Sequence, residues 1–329
     1  MSRIFFLVPG LRPTGGVVKV FDYAGHALDL GFEPVICAGK HFRPDLPLFR
    51  IPRFSRLTPA EGTRWVRAFD YTMAPGDLAL FSWPAHHEIA ASRLPPGAPP
   101  ERIIHLVQNT RHGNPEWLDG LAVRLLARPM ARIMITGEVL EACRPYLSPA
   151  GPTRVIPEGH GWEYFSKERV GGLPRPIKVG YTTWKSSAGI AAEEALAGDT
   201  RFVFRSIRAT AAWPELRDLY HWCDVFLGFP NPQEGFYLVG LEAMAAGALF
   251  VCPDVEGNRA YCRWEENCLQ VGWDDVPSYL AALERLAGMS ETEAAAQRAA
   301  GYAVLPRHSL AEERRLFGEF LEELAGPAR

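Results

Sequence analysis

Glu234 and Glu242 bracket a stretch of mixed chemistry, Glu234-Gly-Phe-Tyr-Leu-Val-Gly-Leu-Glu242. It follows an apolar run, Asp224-Val-Phe-Leu-Gly-Phe229, and a turn, Pro230-Asn-Pro-Gln233. It runs into a helical pattern, Leu241-Glu-Ala-Met-Ala-Ala-Gly247, whose final glycine suits a left-handed cap. Strand, turn and helix make half of a βαβ unit, so the helix N-terminus falls at the carboxyl edge of a sheet. Free backbone N–H groups and the positive dipole end make that place an anion site. Gly235 lets the main chain approach a ligand closely. A bare phosphate has little use for two carboxylates. A ligand with phosphates in the middle and hydroxyls at both ends does, and a nucleotide-sugar is such a ligand.

The stretch resembles the Glu-x7-Glu motif of the retaining GT-B glycosyltransferases of group 1, the glycogen-synthase-like kind. The resemblance continues through Leu241 to Cys252, through Gly257-Asn-Arg-Ala-Tyr261 and through Glu266-Asn-Cys-Leu-Gln-Val271. It implies that Glu242 holds the ribose hydroxyls and that Glu234 orients the donor sugar. It also implies that the amides of Phe236, Tyr237 and Leu238, with Lys185, take the diphosphate charge. Lys185 matches the family lysine that follows the first strand of the second domain. Tyr181 stands where the family has an arginine, and Arg205 or Arg208 could supply that charge instead or simply end a strand in solvent. Gly15 and Gly16 match the family's Gly-Gly turn facing the donor. Asn109, with Gln108, stands nearest the place of a family histidine at the donor sugar, and His112 comes slightly late. Arg154-Val-Ile-Pro-Glu-Gly159 resembles the crossover between domains, with Glu158 in place of the usual asparagine.

Stepping outward, 329 residues suggest two α/β domains of ordinary size. The expected fold is GT-B: two Rossmann-like, doubly wound parallel sheets with a cleft between them. The expected boundaries are 1–150 for the acceptor-side domain and 151–304 for the nucleotide-sugar domain. The segment 305–329 is expected to pack back as a helix on the first. A net charge of -3 implies no polyanionic partner. Arg3 to Val8 reads as a buried strand too short for a secretory signal, and no apolar run could span a bilayer, so the expected location is cytoplasmic. The six cysteines form no Cys-x-x-Cys pair and read as reduced, buried thiols.

In the first domain, Val17 to Leu30 reads as a helix stopped by Gly31, and Phe32 to Cys37 as the next strand. Asn114-Pro-Glu-Trp reads as a helix start, and His105 as a satisfied core histidine. Residues 42–69 interleave Arg43, Arg50, Arg53, Arg56, Arg64 and Arg67 with Phe42, Phe49, Phe54, Trp65 and Phe69. Solvated arginines over core aromatics, a surface meeting the acceptor or an inner membrane face, and nucleic-acid binding are three readings of that pattern. The expected partners are a nucleotide-sugar donor and an unidentified acceptor, with peripheral membrane contact through 42–69 and no nucleic acid.

The resemblance implies retaining transfer of a hexosyl group, with Glu234 and Lys185 catalytic and the leaving phosphate deprotonating the acceptor. No cofactor is expected beyond the donor as co-substrate. The sequence holds no Asp-x-Asp, so no metal is required. A nucleotide-sugar epimerase of the same fold and a non-catalytic nucleotide-sugar-binding module are the alternatives.

Overall fold

A computed structural model describes residues 2–68, 70–209 and 211–325; Phe69 and the last residues of the segment 305–329 lie outside them. The chain divides into two compact units, 1–158 with 310–329, and 159–309.

The first unit is built on seven parallel strands: β1 Arg3–Val8, β2 Glu33–Ala38, β3 Arg64–Arg67, β4 Leu78–Phe81, β5 Ile103–Val107, β6 Ala131–Met134 and β7 Thr153–Val155. Their order is β3-β2-β1-β4-β5-β6-β7. Apart from Arg3 at the start of β1 and the buried His105 in β5, the central strands are apolar and buried, as strands covered on both faces must be. The order reverses between β1 and β4, so a crevice opens there at the carboxyl edge. Helix α1, Gly15–Asp29, joins β1 to β2 and is stopped by Gly31, whose φ of +83° is left-handed. Between β4 and β7 lie α2 His87–Ala91, α3 Leu121–Leu126 and α4 Gly137–Cys143, the last capped by the Thr136 hydroxyl.

β7 is the seventh strand of this sheet and pairs in parallel with β6. The first unit therefore runs past residue 150 to Glu158. The helix expected to start at Asn114 is a short 3-10 turn instead, because Leu118 and Asp119 take left-handed φ of +53° and +51° before α3 begins.

The arginine-rich stretch folds as short 3-10 turns and the edge strand β3. Its aromatics pack inward on one another: Phe49, Phe54 and Trp65 surround Phe21 of α1 at centroid distances of 5.6 to 6.2 Å. Phe42 closes on Phe49 and Trp65. Arg43, Arg53 and Arg56 pair with Asp45, Asp22 and Asp29. Phe54 is buried, while Phe42, Phe49 and Trp65 are half-buried in this cluster.

The last helix, α10 Leu310–Ala325, completes the first unit from the far end of the chain. Phe317 meets Tyr23 edge-on at 4.8 Å. Beneath them lies a buried ionic cluster. Lys19 Nζ donates to Glu313 Oε2 at 3.0 Å and lies 3.3 Å from Asp22, and His26 Nε2 lies 2.8 Å from the same Glu313 oxygen. Burial pushes the Asp22 carboxyl up, but Arg53 and Lys19 outweigh it and hold the group at about 2. Removing one member of such a cluster strands a buried charge, a loss of roughly 3–5 kcal/mol.

The second unit carries five parallel strands: β8 Ile177–Thr182, β9 Phe202–Ile207, β10 Val225–Leu227, β11 Leu249–Pro253 and β12 Cys268–Val271. Their order is β12-β11-β10-β8-β9, which reverses between β8 and β10. The helices are α5 Ala188–Ala195, α6 Trp213–Trp222, α7 Leu238–Ala245, α8 Val276–Gly288 and α9 Glu291–Val304. Gly247 ends α7 with φ of +71°, as its position after the helical pattern predicts. All six cysteines are free and buried. No described helix is long and apolar enough to cross a membrane.

Candidate active site

The loops after β8 and β10 flank the point where the second sheet reverses, and they carry Lys185 and Glu234. These residues are far apart in sequence, yet their side chains form a direct ion pair. Glu234 also accepts from the Asn231 amide at 3.1 Å, which fixes its carboxylate at the mouth of the β10 loop. Lys185 Nζ lies 5.0 Å from the centroid of the Tyr237 ring, a cation–π contact. The Lys185 and Glu234 side chains retain 32% and 14% exposure, so the pair is anchored but open to solvent. Beside it, Lys185, Ser186, Phe229, Pro230, Trp273 and Asp274 line a cleft of about 180 Å³. The Trp273 ring stands out from it, tethered by a bond from its Nε1 to the Pro230 carbonyl.

The backbone between the two glutamates is held from behind. Tyr237 N–H donates to the Gly257 carbonyl at 2.8 Å, its hydroxyl accepts from Phe229 N–H at 3.1 Å, and its carbonyl accepts from the Tyr261 hydroxyl. The Tyr237 amide is therefore spent inside the protein, which corrects its expected role as a phosphate donor. The N–H groups of Leu238 and Val239 open α7 in its first turn, where no intrahelical acceptor exists. Gly235 and Phe236 are buried, with the Phe236 ring on Tyr261 and His308. Gly257 is glycine for a steric reason. A Cβ there would meet the Cβ of Glu234 at 2.6 Å and its carbonyl oxygen at 3.0 Å.

Glu242 does not present an open carboxylate. Its side chain is 7% exposed; Oε2 accepts from the Tyr220 hydroxyl at 2.8 Å and Oε1 lies 3.1 Å from His160 Nε2. Burial and the neighbouring Glu242 charge raise the Tyr220 hydroxyl well above the usual phenol range, so it stays a donor. Each Glu242 oxygen thus has one protein partner in the free protein. Glu242 ties α7 to α6 and to the His160 segment. Sequence reading missed Tyr220 and His160, because nothing local marks either as the partner of a carboxylate so far along the chain.

Tyr181 cannot stand in for an arginine. It is buried in the core of the second sheet, and its hydroxyl bonds to Glu193. Of the two replacements, Arg205 turns toward the Trp222 ring. Arg208 follows β9 and pairs with Glu193 at 3.3 Å while remaining largely exposed. Trp184, next to Lys185, donates to the carbonyl of Ala209, so the Arg208 and Lys185 loops run side by side.

In the first unit, Gly15 and Gly16 form the first turn of α1. The Gly16 carbonyl accepts from Gln108 Nε2 at 3.2 Å, and a Cβ on Gly16 would lie 2.7 Å from Gln108 Oε1. Asn109 is a local cap: its Oδ1 accepts from Arg111 N–H at 2.9 Å and from Arg111 Nε at 3.1 Å. His112 is buried, its ring 5.1 Å from His105 and 4.9 Å from Trp117. Burial, with the Arg111 charge, pushes it down to about 3, so it stays neutral and acts as an interior group rather than an acceptor base. His105 is in the core, stacked on Phe81 at 4.6 Å, but neither ring nitrogen has a partner. It is buried as expected and not satisfied.

Two doubly wound parallel sheets of this topology define the GT-B architecture, and known structures match it over the whole chain. HepE of Anabaena in complex with UDP superposes with a TM-score of 0.72 at 15% identity, covering 98% of this chain and 99% of that one. Sucrose-phosphate synthase of Thermosynechococcus elongatus gives 0.67 at 14% identity over all of both chains. A glycosyltransferase of Rickettsia africae gives 0.65 at 12% identity over 99% of each. Residues 187–288, within the second unit, match the family model described as glycosyl transferases group 1. No curated protein sequence matches the chain.

Proposed function

We propose that the protein is a retaining glycosyltransferase that moves a hexosyl group from a nucleoside-diphosphate sugar to an acceptor without a metal ion. The observation that carries this reading is the Lys185–Glu234 pair at the reversal point of the second sheet, beside the opening of α7. Lys185 is the cation for the diphosphate, and the Leu238 and Val239 amides add donors that need not reorganise as the leaving group gains charge. Glu234 accepts from the donor sugar's hydroxyls and sets its anomeric carbon. Arg208 is the nearest further cation, on the loop beside that of Lys185. Glu242 acts at one remove, by holding α7 in place. HepE, alike in fold, has been crystallised with UDP-glucose, which supports a nucleotide-sugar as the ligand class.

The test is a thermal-shift screen of the whole chain against UDP-, GDP-, dTDP- and ADP-sugars, followed by NMR of the bound donor. A ligand at about a hundred times its Kd should stabilise the fold by roughly 2.7 kcal/mol. Slow hydrolysis to a free sugar of unchanged anomeric configuration supports a retaining transferase. Conversion of the sugar into its epimer, or stabilisation by none of the four, refutes the proposal.

A further inference from the structure

We infer that the carboxyl edge of the first sheet carries a pyranose-binding platform centred on Trp83, which seats the sugar of the acceptor. This rests on the glycosyl-transfer reading above and gives its second substrate a chemical class: a saccharide rather than an aglycone.

Four observations converge. First, Trp83 follows β4, and the order of the first sheet reverses between β1 and β4. Crevices at such reversals are where open α/β sheets hold ligands. Second, Trp83 is 41% exposed and is the only large apolar side chain of the first unit, among the described residues, that stands out in this way. An isolated aromatic is too little apolar surface for a protein-docking face. Its electron-rich face does suit the polarised C–H groups on one side of a pyranose ring. Third, Trp83 has an aromatic neighbour that itself carries a cation. Trp117 meets Trp83 edge-on at 5.9 Å and 88°, and the Arg111 guanidinium lies 5.5 Å above the Trp117 ring. Glu116 and Asp119, both exposed, flank Trp117 in sequence. A guanidinium over the neighbouring indole offers donors to sugar hydroxyls. Fourth, the Trp117 loop is held in an unfavourable backbone. Leu118 and Asp119 both have left-handed φ, a cost of about 1–3 kcal/mol each that sites for ligands tend to retain. Beneath the loop, His112 keeps a buried Nδ1 without a partner.

The test titrates the whole chain with methyl β-D-glucopyranoside, methyl α-D-mannopyranoside and maltotriose, read by saturation-transfer NMR and tryptophan fluorescence. UDP affinity is measured in parallel on each variant. At least one of the three saccharides should show transfer to the C–H protons of a single ring face. Trp83→Ala should weaken its binding about tenfold, the worth of a stacked aromatic contact. Trp83→Phe should recover part of that loss, and Arg111→Gln should weaken the same saccharide with Trp83 intact. UDP affinity should stay unchanged in all three. Wild-type binding of saccharide by Trp83→Ala, or UDP binding without any saccharide binding in the wild type, overturns the platform. Loss of UDP affinity in Trp83→Ala overturns it as well. Saccharide binding without UDP binding upholds the platform and defeats the donor reading.

Discussion

UDP without a sugar separates the two members of the Lys185–Glu234 pair, because it offers phosphate to the lysine and nothing to the glutamate. In the free protein the ammonium is shared between Glu234 and the Tyr237 ring. Replacing Lys185 by alanine removes a charge-assisted contact worth about 1.5–3 kcal/mol to the diphosphate, a roughly 10- to 150-fold rise in Kd. Replacing Glu234 by alanine acts the other way. The pair is partly exposed, so releasing the lysine returns only about 0.2–1 kcal/mol, and UDP should bind as well as before or up to about fivefold tighter. Turnover of the intact nucleotide-sugar should still fall in Glu234→Ala, since its hydroxyls lose their acceptor. Calorimetry with UDP on the wild type, Lys185→Ala, Glu234→Ala and the double variant gives all four corners of the cycle. Wild-type UDP affinity in Lys185→Ala would refute the assignment of the diphosphate to this lysine. A large loss of UDP affinity in Glu234→Ala would show that the carboxylate, not the lysine, organises the site.

Three further outcomes follow from the geometry. Glu242→Ala should lower stability by about 1–3 kcal/mol in urea denaturation, because it strands the buried Tyr220 hydroxyl, while Glu242→Gln should recover part of the loss. Gly257→Ala should push Glu234 aside, lowering kcat and costing about 1–3 kcal/mol of stability; equal turnover and Tm would show that the contact at 2.6 Å relaxes without consequence. His105 and His112 are held neutral by burial, so the unfolded chain takes up their protons first as pH falls. Their effect on stability is absent above about pH 6.5 and grows below it by about 1.4 kcal/mol per group per pH unit, continuing for His112 down to about 3. The melting temperature of His112→Phe should therefore fall less steeply than that of the wild type between pH 6.5 and pH 4.5, and parallel curves would show that His112 is not the acid-sensitive group.

The parallel sheets were legible because β1, β4, β5 and β11 are short, almost wholly apolar runs bounded by turns, a pattern that leaves few alternatives. The turn–helix at Glu234 was legible for the same reason, and α7 begins only three residues before the expected start at Leu241. Lys185 and Glu234 could each be named as site residues from the family resemblance and their place at the sheet edge, but their direct pairing was not visible in sequence. What escaped was set by long-range packing. The bonds of Glu242 to Tyr220 and His160 depend on how α6 and α7 lie together, and no periodicity records that. The edge strand β3, Arg64–Arg67, hid behind its arginines, since an edge strand with solvent on its faces need not be apolar. Trp83 and Trp117 looked ordinary in sequence. Their significance comes from the reversal between β1 and β4 and from two left-handed residues that no side-chain type announced.

Glu313 reaches back 294 residues to meet Lys19. A ribosome making this chain would deliver every strand of the first sheet and then the whole of residues 159–309 before α10 could close over α1. Until then Lys19 and His26 have no carboxylate from α10, and the α1 surface that α10 covers stays wet. The order of synthesis and the order of completion are thus inverted: the half begun first is finished last. Truncating the chain before residue 310 should leave the second half able to fold while the first waits for a helix that never comes.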